Sequence, residues 1–260
     1  MRFGIVGDPV DHSRSPAMHE AGFRALGIDA VYEFLPTPPD HFDRIIDGLR
    51  SGRLDGVNVT MPHKRAAFDA VDEHTVDAQR SGSVNTIVCR NGRLVGANTD
   101  VGGITDAFDT ARIPDLAPVL VLGSGGASAS AVVALCGRAV YVSARNPAAA
   151  TAMLDRVQCP GVVVRWGEGV AGSAIVNATP IGMHGESLPR PVLGVASGLV
   201  DMAYGPEETP ACRAIRRGGL PCADGLDVLV GQAIGAFRLF TGTTPDRDIL
   251  TTAARGLAGE

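Results

Sequence analysis

The sequence predicts an α/β protein of two domains whose sheets are mostly parallel. Short β-branched and apolar runs alternate with segments in which apolar residues recur every three or four positions, the pattern of alternating strands and helices. A glycine-rich turn follows one apolar run directly and precedes a stretch of small residues. The length of 260 residues fits one or two domains, since a domain has about 150 residues.

The composition excludes several classes of protein. Hydrophobic residues make up 45% and charged residues 20%, so the chain can bury enough apolar surface to fold. The formal net charge of −5 disfavours nucleic-acid binding, which needs a basic surface. The chain lacks the apolar run of about 20 residues that spans a membrane. Its start, MRFGIVGDPV, has no signal-peptide pattern, so we expect a cytoplasmic protein.

The five cysteines and six histidines indicate neither a disulfide framework nor a metal site. The cysteine count is odd, and no two cysteines are separated by only two residues. The histidines show no H-E-x-x-H or H-x-H spacing. We therefore expect reduced cysteines and no protein-bound metal.

The order of the elements suggests two consecutive series of strands. In the first series, apolar residues spaced i, i+3, i+4 and i+7 predict a helix, and Asn91-Gly92 predicts a hairpin turn. The helix residues are Phe42, Ile45, Ile46 and Leu49, and the strands lie near Phe3–Val6, Val31–Leu35, Gly56–Val59 and Ser83–Cys89. The second series lies near Pro118–Leu122, Val140–Ser143, Val162–Arg165, Ala174–Asn177 and Gly198–Asp201. A long helix starts near Gly225, and the domain boundary is expected near Asp100.

The turn from Gly123 to Gly126 predicts a nucleotide site. Glycines let a backbone approach a pyrophosphate, which the free N–H groups at the following helix start also favour. The third glycine of the usual G-x-G-x-x-G pattern is Ser128 here, and a tight turn without ligand is the alternative. Arg145 lies 22 residues after Gly123, where NAD enzymes carry an acidic residue and an arginine accommodates a 2′-phosphate. An arginine at position 145 therefore favours NADP. The alternative is that Arg145 is a solvated surface residue.

Three polar segments are candidates for substrate binding and catalysis. Lys64 follows Asn58-Val59-Thr60, and Pro62 suits the first position of a helix, which would place this lysine in the first turn. A desolvated lysine can exchange protons near neutral pH. The simpler interpretation is that this lysine is solvated. Asp100 is equally an N-cap candidate. Ser13 and Ser15 precede a helix and are suited to hold a carboxylate or to cap that helix.

Taken together, these segments resemble the shikimate dehydrogenase family over essentially the whole chain. The ordered motifs are S-x-S at Ser13, N-V-T-x-P-x-K at Asn58, V-N-T at Val84, N-T-D at Asn98, the G-x-G-G turn, N-A-T-P-x-G-M at Asn177, D-M-x-Y at Asp201, T-P at Thr209 and A-D-G-L at Ala223, followed by Gln232. One motif can arise by chance, whereas this ordered series is highly specific.

The resemblance implies an NADP-dependent oxidoreductase that interconverts 3-dehydroshikimate and shikimate. It implies a substrate-binding catalytic domain (1–100 plus 226–260), a Rossmann-like NADP-binding domain (101–225) and a cleft between them. Lys64 and Asp100 would form the catalytic pair, in a substrate site completed by Ser13, Ser15, Asn58, Thr60, Asn85, Tyr204 and Gln232. The cofactor site would comprise Gly123, Ser124, Gly125, Gly126, Ala127, Ala144, Arg145, Asn146, Asn177, Thr179, Pro180 and Gly225.

Some features depart from the family pattern or stay open. Ala144-Arg145-Asn146 stands where the family commonly has Asn-Arg-Thr, and Asp227 and Val228 replace a glycine and a methionine near the nicotinamide. An added carboxylate there would alter cofactor preference or substrate range. Quinate and aminoshikimate dehydrogenases share the same recognition residues, and a non-catalytic NADP- and metabolite-binding regulator is the alternative of another class. The sequence also leaves a homodimer open.

Overall fold

The computed structural model describes residues 1–256 of the chain, which form two compact units. The first comprises Met1–Thr99 with the C-terminal segment from Gln232, and the second comprises Asp100–Gly231. Residues 257–260, the end of the predicted catalytic domain, lie outside the described residues. The predicted boundaries after residues 100 and 225 stay a prediction.

The first unit is built around a six-stranded mixed sheet. Its strands are β1 (Arg2–Gly7), β2 (Val31–Pro36), β3 (Gly56–Val59), β4 (Glu73–His74), β5 (Thr86–Arg90) and β6 (Arg93–Ala97), in the order β2-β1-β3-β5-β6-β4. Its helices are α1 (Ser15–Ala25), α2 (Phe42–Arg50), α3 (Lys64–Ala70) and α4 (Val76–Ser81), and a short 3-10 turn covers Pro39–His41. The chain enters the second unit in α5 (Thr99–Thr110), returns within α10 (Gly225–Thr241) and ends the described part with α11 (Arg247–Arg255).

The strand directions bring three loops to one edge of this sheet. Strands β1, β2 and β3 are mutually parallel, so the loops that follow them lie at the same edge. The hairpin at Asn91-Gly92 is confirmed, because β5 and β6 pair antiparallel across it. The strand predicted at Ser83–Cys89 begins only at Thr86. The Val84 N–H donates instead to the Lys64 carbonyl at the start of α3, so it makes no bond within the sheet.

The predicted amphipathic helix, α2, is confirmed. Phe42 and Leu49 are buried in a cluster with Val57, Val59 and Ile87 of the sheet. Ile45 and Ile46 pack against the same cluster at its margin. The apolar residues therefore lie on one face of the helix, and this face packs on the sheet as the sequence pattern predicts.

A buried histidine makes the stability of the first unit sensitive to acid. The ring of His19 stacks on Tyr32, with centroids 4.4 Å apart, and lies parallel to Phe237 at 5.8 Å. Burial lowers the pKa of His19 from 6.5 to about 3, because the charged ring would be desolvated. Between these two values the unfolded chain binds a proton that the folded chain does not. The free energy of unfolding therefore falls as pH drops through this window.

We expect His19→Phe to remove this part of the pH dependence while keeping a stacked ring. Between pH 7 and pH 5, the free energy of unfolding of the wild type should fall by about 2 kcal/mol more than that of the variant. Urea unfolding at the two pH values measures this difference. His12 is exposed, so His12→Phe should retain the wild-type dependence. Equal slopes for the wild type and His19→Phe would contradict the assignment.

The second unit is a doubly wound parallel sheet. Its strands are β7 (Val119–Leu122), β8 (Val140–Ser143), β9 (Gly161–Val164), β10 (Ala174–Asn177), β11 (Gly198–Asp201) and β12 (Cys222–Ala223), in the order β12-β11-β10-β7-β8-β9. Its helices, besides those shared with the first unit, are α6 (Gly126–Leu135), α7 (Pro147–Val157), α8 (Arg190–Leu193) and α9 (Pro210–Arg217). The strand order reverses between β7 and β10, and such a switch point is where ligands bind in open α/β sheets.

Both faces of the central strand β7 are covered, which accounts for its continuous apolar run. Val119 and Val121 pack into one cluster with residues of α6 and α7. Leu120 and Leu122 pack into another with residues of α8 and α9. A strand buried on both faces shows a continuous apolar run rather than alternation. The Rossmann-like architecture predicted for this part of the chain is confirmed.

The expectation that all cysteines are reduced is wrong for one pair. Cys136 and Cys159 form a disulfide, with Cα atoms 5.6 Å apart. An odd number of cysteines, widely spaced in sequence, argues against a framework of several disulfides. It does not prevent two cysteines that are distant in sequence from lying close together in the fold. Cys136 follows α6 and Cys159 follows α7, and these neighbouring helices bring the two together. Across residues 1–256, no helix is both long and apolar enough to cross a membrane.

Candidate functional site

The first unit places four candidate substrate residues on loops or helix starts at the carboxyl edge of its sheet. Ser13 lies in the loop after β1, and Ser15 is the first residue of α1. Thr60 follows β3, and its N–H donates to the Val6 carbonyl at 2.8 Å. Lys64 is the first residue of α3 and is partly buried. The prediction that Pro62 begins this helix is wrong, because the His63 N–H closes a turn onto the Thr60 carbonyl before the helix starts.

The two serines are hydrogen bonded to each other, and a buried network of hydrogen bonds starts nearby at Tyr32. The Ser13 hydroxyl donates to Ser15 Oγ at 3.2 Å, and the Ser15 N–H donates back to Ser13 Oγ at 3.2 Å. The Ser15 side chain lowers the pKa of Tyr32, an effect smaller than the opposing one of burial. The Tyr32 hydroxyl in turn donates to Asn58 Oδ1 at 2.6 Å. Desolvation raises the pKa of Tyr32 well above 10, so this phenol stays protonated and can donate.

Further hydrogen bonds connect Asn58 in β3 to Thr99, the residue before Asp100. The Asn58 amide donates to Thr86 Oγ1 at 2.9 Å, and the Thr86 hydroxyl donates to Asn85 Oδ1 at 3.0 Å. Asn85 Oδ1 also accepts the Thr99 N–H at 2.8 Å, while its amide donates to Thr99 Oγ1 at 3.0 Å. The side chains of Asn58 and Asn85 therefore orient their neighbours. Because every member has a partner, the network specifies one arrangement.

The remaining substrate candidates lie elsewhere in the two units. Asp100 is 2% exposed and is the second residue of α5. It is therefore not the N-cap, because Thr99 is already helical. Tyr204 is half-buried after β11 in the second unit. Gln232 is half-buried in α10 and belongs to the first unit.

The glycine turn of the second unit lies at the switch point of its sheet. Gly123 has φ +111°, and a Cβ there would lie 2.7 Å from Ser128 Oγ, so only glycine fits. A Cβ at Gly125 would meet nothing within 4 Å, so the space above the turn is open to a ligand. Helix α6 begins at Gly126, and the N–H groups of its first turn have no helical acceptor. These features fit a pyrophosphate, with Ser124 and Ala127 in the same turn.

Ala144, Arg145 and Asn146 follow the neighbouring strand β8 and differ in their surroundings. Ala144 is buried, whereas Arg145 is exposed and has no ion-pair partner among residues 1–256. The Asn146 side chain caps α7, since its Oδ1 accepts the Ala149 N–H at 3.1 Å. Arg145 is thus the residue of this segment whose charge is available to a ligand.

The loop after β10 is held by a buried pair that sequence reasoning did not identify. Asn177 donates to Asp201 Oδ1 at 2.8 Å and to the Ile181 carbonyl at 2.9 Å, while its Oδ1 accepts the Thr179 hydroxyl at 2.6 Å. Asp201 also accepts the Thr209 hydroxyl at 2.6 Å. Burial raises the pKa of Asp201. The Asn177 side chain therefore shapes the loop that contains Thr179 and Pro180.

The start of α10 explains two further sequence features. A Cβ at Gly225 would lie 2.6 Å from the Ala203 carbonyl oxygen and 2.9 Å from Tyr204 Cβ, so glycine permits this close packing. Asp224 Oδ1 accepts the Leu226 and Asp227 N–H groups at 3.1 Å, and Asp227 Oδ2 accepts the Asp224 N–H at 3.0 Å. The Asp227 carboxylate thus closes a capping box at this helix. This contact gives Asp227 a structural role that its departure from the family pattern did not suggest.

Sequence reasoning missed Tyr32, Thr86 and Thr99 in the first unit and Asp201 and Asp224 in the second. The last four lie within or beside the recognised motifs, so their position was the available signal. Tyr32 stands outside every motif, in a strand whose pattern suggests only a buried aromatic residue.

Comparison with known proteins finds relatives along nearly the whole chain. A family model described as the shikimate dehydrogenase substrate binding domain matches residues 5–87, and one described as the shikimate 5'-dehydrogenase C-terminal domain matches residues 225–255. The shikimate dehydrogenase (NADP(+)) of Gluconobacter oxydans is 39% identical over 259 residues, which cover 95% of this chain and 92% of that protein.

Solved structures extend the similarity to the fold. Shikimate 5-dehydrogenase of Thermus thermophilus, in complex with NADP(H) and shikimate, has a TM-score of 0.90 at 36% identity, covering 98% of this chain and 99% of that one. The 5-ketofructose reductase of a Gluconobacter species has a TM-score of 0.88 at 25% identity, covering 99% and 98%. A similar fold thus occurs in a protein named for a different substrate.

Proposed function

The chain belongs to the shikimate dehydrogenase family, and from that premise we propose that it reversibly reduces 3-dehydroshikimate to shikimate with NADPH. The support is a 39% identity that extends over nearly the whole chain, together with the agreement between the family motifs and the two observed units. The cytoplasmic location and a homodimer remain predictions from the sequence.

The substrate carboxylate is assigned to Ser13 and Ser15. Their hydroxyls lie 3.2 Å apart, close enough to donate to the two oxygens of one carboxylate. The hydrogen bonds between the two serines fix their relative orientation, which reduces the entropy lost on binding. The ring hydroxyls are assigned to Thr60, Asn85, Tyr204 and Gln232.

Proton transfer is assigned to Lys64 with Asp100. Reduction of a ketone requires a proton at the carbonyl oxygen as hydride reaches the carbon, and the reverse reaction requires its removal. Lys64 is the only lysine in the sequence, so no other lysine can supply this proton. We assign the two residues jointly, because the family resemblance makes them a pair at the motifs N-V-T-x-P-x-K and N-T-D.

The cofactor is assigned to the second unit, where the residues fit it. The turn from Gly123 to Ala127 would hold the pyrophosphate, and Arg145 would hold the 2′-phosphate. The loop shaped by Asn177, with Thr179 and Pro180, and the close approach at Gly225 would border the nicotinamide half. When bound, NADP supplies the hydride chemistry, and the protein supplies orientation and the proton.

A substrate panel tests this proposal. Shikimate, quinate and aminoshikimate are each incubated with NADP and with NAD, and 5-ketofructose is incubated with NADPH, while the absorbance of the reduced nicotinamide is followed. We expect the highest kcat/KM for shikimate with NADP. A higher value for another compound would reassign the substrate. Binding of NADP and shikimate without turnover would instead identify a non-catalytic regulator.

A further inference from the structure

The side chain of His63 links the segment that carries Lys64 to the loop after strand β2. Its ring is 2% exposed, and its Nε2 lies 2.6 Å from the Thr37 carbonyl oxygen. A carbonyl oxygen can only accept, so Nε2 carries the hydrogen and donates it. The ring also stacks on Phe42, with centroids 4.9 Å apart and an interplanar angle of 13°.

Thr37 is itself fixed to the sheet. Its N–H donates to the Gly7 carbonyl at the end of β1 at 3.0 Å, and its hydroxyl donates to the Leu35 carbonyl at 2.9 Å. The carbonyl that accepts the His63 hydrogen bond therefore belongs to a residue that is itself bonded to two neighbouring strands. The His63 contact therefore joins the loop after β3 to the loop after β2, and the Thr37 N–H joins that loop to the end of β1.

The main chain beside His63 is held at the same point. The His63 N–H donates to the Thr60 carbonyl at 3.0 Å, and the Val84 N–H donates to the Lys64 carbonyl at 3.2 Å. Lys64 follows His63 directly and begins α3. The main chain at the start of α3 is therefore held by these two hydrogen bonds, and the His63 side chain adds a further contact directly before Lys64.

We propose that His63 is a positioning residue for Lys64, acting through its ring N–H to the Thr37 carbonyl. This inference rests on the proposed function, in which Lys64 transfers the proton. Its physical basis is that a group misplaced by about 1 Å can cost on the order of 100-fold in rate. Loss of the contact should therefore change the rate of turnover rather than the binding of either ligand.

Two variants separate the hydrogen bond from the stacked ring. His63→Phe keeps an aromatic ring against Phe42 but removes the donor, and it should lower kcat by roughly 10- to 100-fold with both KM values within about 2-fold. His63→Gln retains an N–H at a similar reach, and its kcat should stay within about 3-fold of the wild type. If His63→Phe does not fold, His63→Leu removes the same donor.

His74 provides a matched control near the other end of α3. Its Nε2 donates to the Phe68 carbonyl at 2.8 Å, and its ring packs on Phe68 at 4.1 Å. His74→Phe therefore removes the same type of contact away from Lys64, and it should lower Tm while kcat stays within about 2-fold.

Three results would overturn the inference while the wild type remains active with shikimate. These are an unchanged kcat in His63→Phe, an equal loss of kcat in His74→Phe, and no recovery in His63→Gln. A wild type inactive with shikimate and NADP would instead refute the proposed function. The two failures are therefore distinguishable.

Discussion

Replacing Lys64 with alanine is expected to lower kcat by about 10²- to 10⁴-fold, the usual effect of losing a positioned acid or base. Lys64 is the only lysine in the sequence, so a neighbouring lysine cannot substitute for it. The KM for NADP should change little, because the cofactor residues lie in the second unit. Steady-state kinetics with shikimate as the varied substrate measures both effects.

Two further variants define what Lys64 does. Lys64→Arg should not restore activity, because guanidinium stays protonated at any working pH. Arg65→Ala is the matched control, since Arg65 is exposed and pairs with Asp69 at 2.9 Å. Its kcat should match that of the wild type. If Lys64→Ala retains kcat and raises only KM, Lys64 is a binding residue and Asp100 must carry the proton.

Replacing Arg145 with alanine is expected to weaken NADP binding by about 10- to 100-fold. A hydrogen bond to a charged group contributes roughly 1.5–3 kcal/mol, and each 1.4 kcal/mol is tenfold in affinity. NAD lacks the 2′-phosphate, so its affinity should stay within about 2-fold of the wild type. Calorimetric titration with each cofactor measures the two changes separately.

Arg165→Ala is the control for this experiment. Arg165 follows the next strand of the same sheet, its side chain is 93% exposed, and it pairs with Glu168 at 3.1 Å. Removing it should leave the affinities for both cofactors unchanged. Equal losses of NADP and NAD affinity in Arg145→Ala would contradict the assignment of Arg145 to the 2′-phosphate.

The sequence predicted the elements that have a strong periodic signal. The strands Gly56–Val59, Val140–Ser143, Ala174–Asn177 and Gly198–Asp201 have the predicted bounds, and α10 begins at Gly225. The strand expected from Ser83 and the helix expected from Pro62 begin later than predicted. Near the first bound the Val84 N–H donates to the Lys64 carbonyl, a tertiary contact, and near the second the His63 N–H closes a local turn onto the Thr60 carbonyl. Neither contact leaves a periodic pattern in the sequence.

The residues of the candidate site were likewise predicted only in part. Motifs identified Ser13, Asn58 and Asn85, but they did not indicate that Tyr32 donates a hydrogen bond to Asn58. The link depends on the geometry by which a side chain of β2 reaches across β1 to β3. The effect of Asp227 was also not predictable, because a carboxylate in the first turn of a helix can face a ligand or its own cap. The observed contact with the Asp224 N–H assigns it to the cap.

The transfer of deuterium from reduced cofactor to product tests the central claim most directly. NADPH deuterated at the hydride position is incubated with 3-dehydroshikimate and the wild-type chain, and the isolated product is examined by NMR and mass spectrometry. We expect shikimate with one deuterium on the reduced ring carbon, formed at a rate that Lys64→Ala lowers by about 10²- to 10⁴-fold. Product without deuterium, or equal rates for the two proteins, would contradict this account.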